Sequence, residues 1–314
     1  MVKINLSTYH ISLINKETNK YTNLDKIEFP ILNGQIPNTI NEILNKFFNK
    51  GKESSYSKNN KILNISHYIA ESNIFYGEFL YGTYGAEHPV KNIHNNEEET
   101  KINKNQSVLS PYYFYIEIPP NRTKGLLILE NKNNDGIKGL FEGWFGEFVK
   151  ECTYTHFLLE LQSFMPEKII DTYIKEGFLK RIRFISYKLP TDKLDLLNGF
   201  EPDEGYAELR FQINKKNRKP LKKHLQKLIK NKSNESKEYL NTINNDLKTD
   251  DIKFEIELRG SERTFSINNL KNAVPARDIT DELEKGEDGH RTFKSIHKKG
   301  KEYANDILRE NIDE

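Results

Sequence analysis

Apolar and polar residues alternate along two segments in the second half of the chain. In YAELRFQI, residues 206–213, one side of the pattern carries Ala207, Leu209, Phe211 and Ile213. The segment IKFEIELR, residues 252–259, alternates in the same way. Because successive side chains of a strand point to opposite faces, both segments are predicted to be strands of a sheet with one solvated face.

A second pattern, with apolar residues three and four positions apart, predicts four helices besides the one in the basic run described below. The first begins at Pro37, because proline is favoured at the first helical position, and it carries Ile40, Ile43, Leu44, Phe47 and Phe48. The second follows Ile137, the third runs from Pro166 to a stop at Gly177, and the last follows Asp288. In the second helix, Gly139, Gly143 and Gly146 share a face, which indicates close packing rather than contact with a ligand.

The segment SPYYFYIEIPPNRTKGLLILE, residues 110–130, is predicted to be a β-hairpin at the centre of a first sheet. Residues 94–107 have no periodicity and are predicted to form a loop. The chain has 314 residues, more than one average domain. We therefore expect an α+β fold of two domains, residues 1–165 and 166–314, each a mainly antiparallel sheet with packed helices. The second domain is the basic one, and it includes the terminal helix.

Composition excludes several kinds of site. A single cysteine, Cys152, allows neither an internal disulfide nor a cysteine-based zinc site. The eight histidines are scattered without the spacing of a metal site, and no glycine-rich phosphate loop occurs. We therefore expect no metal and no cofactor. No apolar run is long enough to span a bilayer, and the first residues lack the core of a signal peptide, so we expect a cytoplasmic protein with no membrane partner.

Positive charge is concentrated in one part of the chain. Residues 210–232 contain ten lysines and arginines and no acidic residue, whereas the whole chain has a formal charge of only +2. From Pro220 this run has the period of a helix, and Lys223, Lys227 and Lys230 lie opposite its apolar stripe. A local basic element on an otherwise acidic chain is typical of a site that binds a polyanion. A solvated helix face is the alternative.

The predicted nucleic-acid site comprises this run and two arginines of an earlier strand. Its residues are Lys215, Lys216, Arg218, Lys219, Lys222, Lys223, Lys227, Lys230, Arg181 and Arg183. The only aromatic residue in the run is Phe211, which lies on the apolar side of its strand, so no platform for stacking single-stranded bases is evident. We therefore expect contact with the phosphate backbone of duplex DNA, without sequence preference.

Two other classes of function remain open. Glu130 and Lys132 follow a strand in the order that many metal-dependent nucleases use, and Glu117 is the nearest second carboxylate for a magnesium site. A three-residue match is common in a lysine-rich chain, and such residues are more often solvated turn residues, so we expect no catalytic residue and no enzyme. A scaffold that contacts only other proteins is the third class. A homodimer also remains open, through the helix around Trp144 or the terminal helix.

The order of these elements resembles that of the RexA-type phage-exclusion proteins. The shared features are an α/β first part, a basic middle and a strand region that ends in a helix containing DILRE, here Asp306–Glu310. The hairpin is also similar in style to segments of other bacterial defence proteins. The resemblance implies DNA binding without strong sequence preference, a role in sensing infection by phage, and a partner protein of a defence system. It implies no catalytic residue.

Overall fold

The structure is a computed structural model that describes residues 2–27, 38–94, 98–133, 135–164, 167–189, 201, 205–219, 250–258, 261–267 and 276–310. The fold is mixed α+β with mostly antiparallel sheets, which confirms this part of the predicted fold class. The chain divides into two compact units. Unit 1 is Met1–Gln162 with Ala276–Ile312, and unit 2 is Ser163–Pro275.

Unit 1 is built on one large antiparallel sheet. Its main strands are β1 (Ile4–Asn15), β3 (Ser55–Lys58), β4 (Lys61–Glu71), β5 (Ile74–Thr83), β8 (Ser110–Glu117), β9 (Gly125–Lys132) and β11 (Phe157–Ser163). They lie in the order β11-β1-β9-β8-β5-β4-β3. The short strands β2 (Lys20–Tyr21) and β16 (Ala276–Asp278) pair with β1, and β10 (Asp135–Gly136) pairs with β9. The predicted hairpin is thus confirmed as β8 and β9, near the middle of the sheet.

The helices α1 (Ile40–Gly51) and α2 (Lys138–Cys152) form one hydrophobic core with this sheet. α1 begins at Ile40 because the Thr39 hydroxyl accepts a hydrogen bond from the Glu42 amide, and the Glu42 carboxylate accepts one from the Asn38 amide. Phe47 and Phe48 of α1 are buried, and Phe48 stacks on Phe114 of β8 with 4.9 Å between ring centroids. This packing follows from the apolar spacing that predicted the helix.

The terminal helix α4 (Phe293–Glu310) packs on β8 and β9 and belongs to unit 1, not to the second part of the chain as expected from the sequence. The Tyr113 ring of β8 lies so close to Gly300 that a Cβ there would be 2.5 Å from Cε1 of the ring. The predicted loop also differs, because its residues Glu98–Ile102 form β7, which pairs with β6 (His88–Lys91).

Unit 2 contains a sheet of β13 (Ala207–Gln212), β12 (Phe178–Ser186), β14 (Asp251–Leu258) and β15 (Ser261–Ser266), in that order. The helix α3 (Glu167–Glu176) forms a small core with the sheet, and its buried members include Ile174, Phe184, Phe254 and Phe265. The predicted stop of α3 at Gly177 is confirmed, since the Gly177 amide donates to the Tyr173 carbonyl at 2.9 Å. None of the helices in the described ranges is long and apolar enough to cross a bilayer.

Candidate nucleic-acid interface

The sheet of unit 2 carries charged side chains of both signs on one face. Strand register places Arg181 beside Gln212 and Glu255, and places Arg183 beside Arg210 and Lys253. Because each strand alternates, these side chains share the face opposite the apolar side chains that pack with α3. Both predicted strands are confirmed, but burial follows the predicted alternation only in β14, because Leu209 and Phe211 of β13 are 37% and 47% exposed.

The two arginines predicted to extend the basic patch are held by carboxylates of the same sheet. Arg181 donates to Glu255 at 2.9 Å, and Arg183 donates to Glu208 through Nε at 2.9 Å and Nη2 at 2.6 Å. Arg210 also donates to Glu208, at 3.0 Å. The hydrogen bonds from Arg183, together with those from Arg210, lower the pKa of Glu208 to about 2. Since each guanidinium already has a carboxylate partner, these arginines are poor candidates for phosphate contacts.

The loop after β13 is fixed to the edge of the sheet. The Ile213 amide donates to the Lys180 carbonyl at 2.9 Å, and the Leu179 amide donates to the Lys219 carbonyl at 3.2 Å. Between these two anchors the chain forms a single 3₁₀ turn, Lys215–Asn217. Arg218 at the end of the turn forms an ion pair with Glu257 of β14. The start of the predicted basic run thus has a defined backbone position.

Three lysines of this turn remain available for a ligand. Lys215, Lys216 and Lys219 are exposed, and within the described ranges none of them forms an ion pair or a hydrogen bond through its side chain. We call these three residues the lysine turn. The other four predicted contacts, Lys222, Lys223, Lys227 and Lys230, lie outside the described residues and stay predictions.

The alternative nuclease site is not assembled as the sequence suggested. Hairpin register pairs Glu117 with Leu126, four positions from Glu130 along β9 and so about 13 Å away along the strand. Glu117 instead accepts a hydrogen bond from the Tyr115 hydroxyl at 2.5 Å. Among the described residues, no group of three or more histidine, cysteine, aspartate or glutamate side chains is arranged to hold a metal ion.

The interpretation of Glu130 and Lys132 as solvated turn residues is wrong. Glu130 is fully buried, where it accepts hydrogen bonds from the Tyr113 amide at 2.7 Å and from Arg291 Nε at 3.2 Å. Arg291 also forms an ion pair with Glu78 of β5. Lys132 Nζ lies 4.8 Å from the centroid of the Tyr112 ring, and burial lowers the pKa of this lysine although the charge of Glu130 opposes the shift.

Arg291 and Glu78 were not identified from the sequence. Arg291 precedes α4 and is 161 positions from Glu130, so no local pattern connects the two residues. Arg291 is buried between the carboxylates of Glu78 and Glu130. A buried charge is very unfavourable unless it is paired, and here the arginine and the two carboxylates pair with one another. Glu130 therefore has a structural role that attaches the segment before α4 to the sheet.

Comparison with known proteins adds no assignment. No protein-family model matches the chain, and no curated protein has a significantly similar sequence. The argument for function therefore depends on the charged surface of unit 2.

Proposed function

We propose that this protein binds duplex DNA through its phosphate backbone, with the lysine turn as one end of the contact surface. The observation that carries the proposal is that Lys215, Lys216 and Lys219 are exposed on an anchored turn and have no carboxylate partner in the described ranges. They also lie in a stretch, residues 210–232, that contains no acidic residue. Each lysine that meets a phosphate displaces a condensed counterion, which makes such binding favourable and dependent on salt.

The arrangement of the turn supports contact with a backbone rather than with bases. Two main-chain hydrogen bonds to β12 hold the turn on both sides, while its lysine side chains project as flexible point charges. Lysine ammonium groups recognise phosphate charge without the planar geometry that base edges require. We therefore expect similar affinity for unrelated duplex sequences.

The sequence also supports proposals about the biological role of the protein, its domains and its oligomeric state. The resemblance to RexA-type phage-exclusion proteins supports a role in bacterial anti-phage defence, in the cytoplasm and together with a partner protein. We also propose that units 1 and 2 are separate domains and that the protein forms a homodimer. Analytical ultracentrifugation of the purified chain tests the dimer, because a dimer has twice the 36.8 kDa mass of the chain.

A plasmid assay separates the three classes of function. Supercoiled plasmid, linear duplex DNA and duplex RNA are each incubated with the protein and Mg²⁺ or Mn²⁺. We expect retarded migration of intact DNA, with no nicking. Metal-dependent nicking that Glu117→Gln abolishes would favour the nuclease instead. No retardation at low salt, together with a stable co-purifying protein, would favour the scaffold.

A further inference from the structure

A groove in unit 1 lies between the end of α1, the strand β3 and the outer face of α2. It encloses about 290 Å³. The residues that define its chemistry are Tyr56, Trp144, Phe148, Glu147, Glu151 and Lys50. Binding sites for small ligands combine apolar walls with a few convergent polar groups, and this groove has both features, with a volume just below the usual range of about 300–1,000 Å³.

Aromatic rings form one wall of the groove. The Tyr56 and Trp144 rings are parallel within 8°, with 6.2 Å between their centroids. Buried Phe47 contacts both Trp144 and Phe148 edge to face, at 5.1 Å and 5.5 Å between centroids. Because Phe47 is fixed in the core, the Trp144 and Phe148 rings are held in position before any ligand arrives, and Tyr56 stacks on Trp144.

The carboxylates of the groove are not fully neutralised. Glu147 and Glu151 lie one turn apart on α2, and Lys50 Nζ is 2.9 Å from Glu151. Glu147 accepts a hydrogen bond from the Tyr56 hydroxyl at 3.0 Å, and in the described part of the chain no lysine or arginine pairs with it. Burial and the Glu147 carboxylate raise the pKa of Tyr56, so its phenol remains protonated and donates at neutral pH. Two carboxylates and one lysine leave a net charge of −1.

The position of Lys50 shows how this groove holds a cation. Lys50 Nζ lies 5.5 Å from the centroid of the Phe148 ring while it pairs with Glu151. The other half of the groove offers the same combination of ring face and carboxylate, in Trp144, Tyr56 and Glu147, without a cation. Aromatic faces attract organic cations through the ring quadrupole, and tryptophan does so best. A hard metal ion is less suitable, because it requires several oxygen ligands.

We propose that this groove binds an organic ammonium group, with its alkyl groups against Tyr56 and Trp144 and its charge facing Glu147. Two sources share this chemistry, a free small amine and the side chain of a lysine or methylated lysine in a peptide. The inference is independent of the proposed DNA binding, because the groove is negatively charged and belongs to unit 1.

Trp144 is the only tryptophan in the chain, so its fluorescence reports directly on the groove. The full-length protein is titrated with choline, with N-acetyl-trimethyllysine methylamide, and with 3,3-dimethylbutanol as the neutral analogue of choline. We expect a saturable change in Trp144 emission with at least one of the two cations and none with the neutral analogue. A response to choline alone identifies a free amine as the source, and a response to the lysine derivative alone identifies a peptide side chain.

Variants test the role of the carboxylate. Glu147→Gln retains the acceptor for Tyr56 but removes the charge, and we expect it to weaken binding about fivefold, since cation–carboxylate attraction at an exposed site is modest. Glu142→Gln is the matched control, because Glu142 is on the same helix but pairs with Lys138 at 2.6 Å and is not part of the groove. The proposal is overturned by equal saturable responses to choline and its neutral analogue, by unchanged affinity in Glu147→Gln, or by no saturable response to either cation.

Discussion

At the scale of single residues, Glu78, Arg291 and Glu130 form a buried triad of ion pairs in unit 1. The Arg291 side chain is 2% exposed and that of Glu130 is 0% exposed. Removing one member of a buried ion pair usually costs about 3–5 kcal/mol, because the remaining charge has no partner. We therefore expect Arg291→Met to lower the free energy of unfolding by about that amount.

The matched control for this prediction is Arg277→Met. Arg277 is partly exposed and its pairs with Glu282 and Asp306 are loose, at 3.7 Å and 3.9 Å, so we expect a loss below about 1 kcal/mol. Urea unfolding followed by Trp144 fluorescence measures both variants in unit 1. Equal losses would show that the triad contributes no more than a surface pair.

Arg183 is the residue that best distinguishes a structural role from a DNA contact. Arg183→Gln removes the main partner of Glu208, so we expect the pKa of Glu208 to rise from about 2 toward its ordinary value, while DNA affinity changes little. The carboxylate has a lowered pKa in the folded state, so its contribution to stability is present above pH 4.5 and is lost as the pH falls toward 2. NMR titration of the glutamate side chains measures the pKa. A large loss of DNA affinity in this variant would instead show that Arg183 contacts DNA.

At the scale of elements, α4 packs closely on the sheet at Gly300. A Cβ on Gly300 would lie 2.5 Å from Tyr113, whereas a Cβ on Gly146 of α2 would meet only Leu159 at an ordinary 3.9 Å. Glycine within a helix is less favourable than alanine by about 1 kcal/mol, so Gly146→Ala should stabilise unit 1. Gly300→Ala should destabilise it by about 1–3 kcal/mol, because the ring or the helix must shift.

Urea unfolding of these two variants measures the difference directly. Opposite signs are expected, and stabilisation by both would show that α4 does not approach Tyr113 closely. The three glycines of α2 also differ from one another. A Cβ on Gly143 would be 2.8 Å from the Tyr56 hydroxyl, whereas nothing lies within 4 Å of one on Gly139. The prediction of close packing is therefore confirmed for Gly143 and is wrong for Gly139.

Local patterns predicted the elements well, because burial of one face leaves a period in the sequence. The apolar spacing of α1, the alternation of β14, and the hairpin of β8 and β9 are examples. Contacts between distant segments leave no such period. The ion pair between Arg291 and Glu130 and the position of α4 in unit 1 depend on how the chain returns to the first sheet.

In the candidate interface too, contacts between distant segments could not be predicted from the sequence. The acid-free run begins at Arg210, two residues after Glu208, so the carboxylate that binds both Arg210 and Arg183 lies just outside it. Cross-strand register decides which charges meet, and register could not be derived from the sequence for β12, β13 and β14. Lys215, Lys216 and Lys219 are predicted from the run of charge along the chain, which requires no register, and their contact with DNA stays a prediction.

At the scale of the whole molecule, charge is distributed unevenly. Residues 210–232 carry ten positive charges on a chain whose formal charge is +2, so the remainder carries 2 − 10 = −8. Two of the ten, Arg210 and Arg218, are paired with Glu208 and Glu257. Binding of a polyanion must therefore be local, because most of the chain repels it.

The measurement that tests this account most directly is the salt dependence of duplex DNA affinity in a triple variant of the lysine turn. Changing Lys215, Lys216 and Lys219 to glutamine removes three exposed charges from unit 2. The control changes Lys16, Lys20 and Lys58, which are exposed in unit 1, and alters the net charge equally. Each lost phosphate contact reduces the slope of log affinity against log salt by about 0.9.

We predict that the lysine-turn variant binds unrelated duplexes more weakly, by a similar factor for each, and that its salt slope is smaller in magnitude by about 2 to 3 units. The unit 1 control should keep the slope of the original protein. An unchanged affinity and slope in the lysine-turn variant, or an equal loss in both variants, would contradict a DNA interface at the lysine turn.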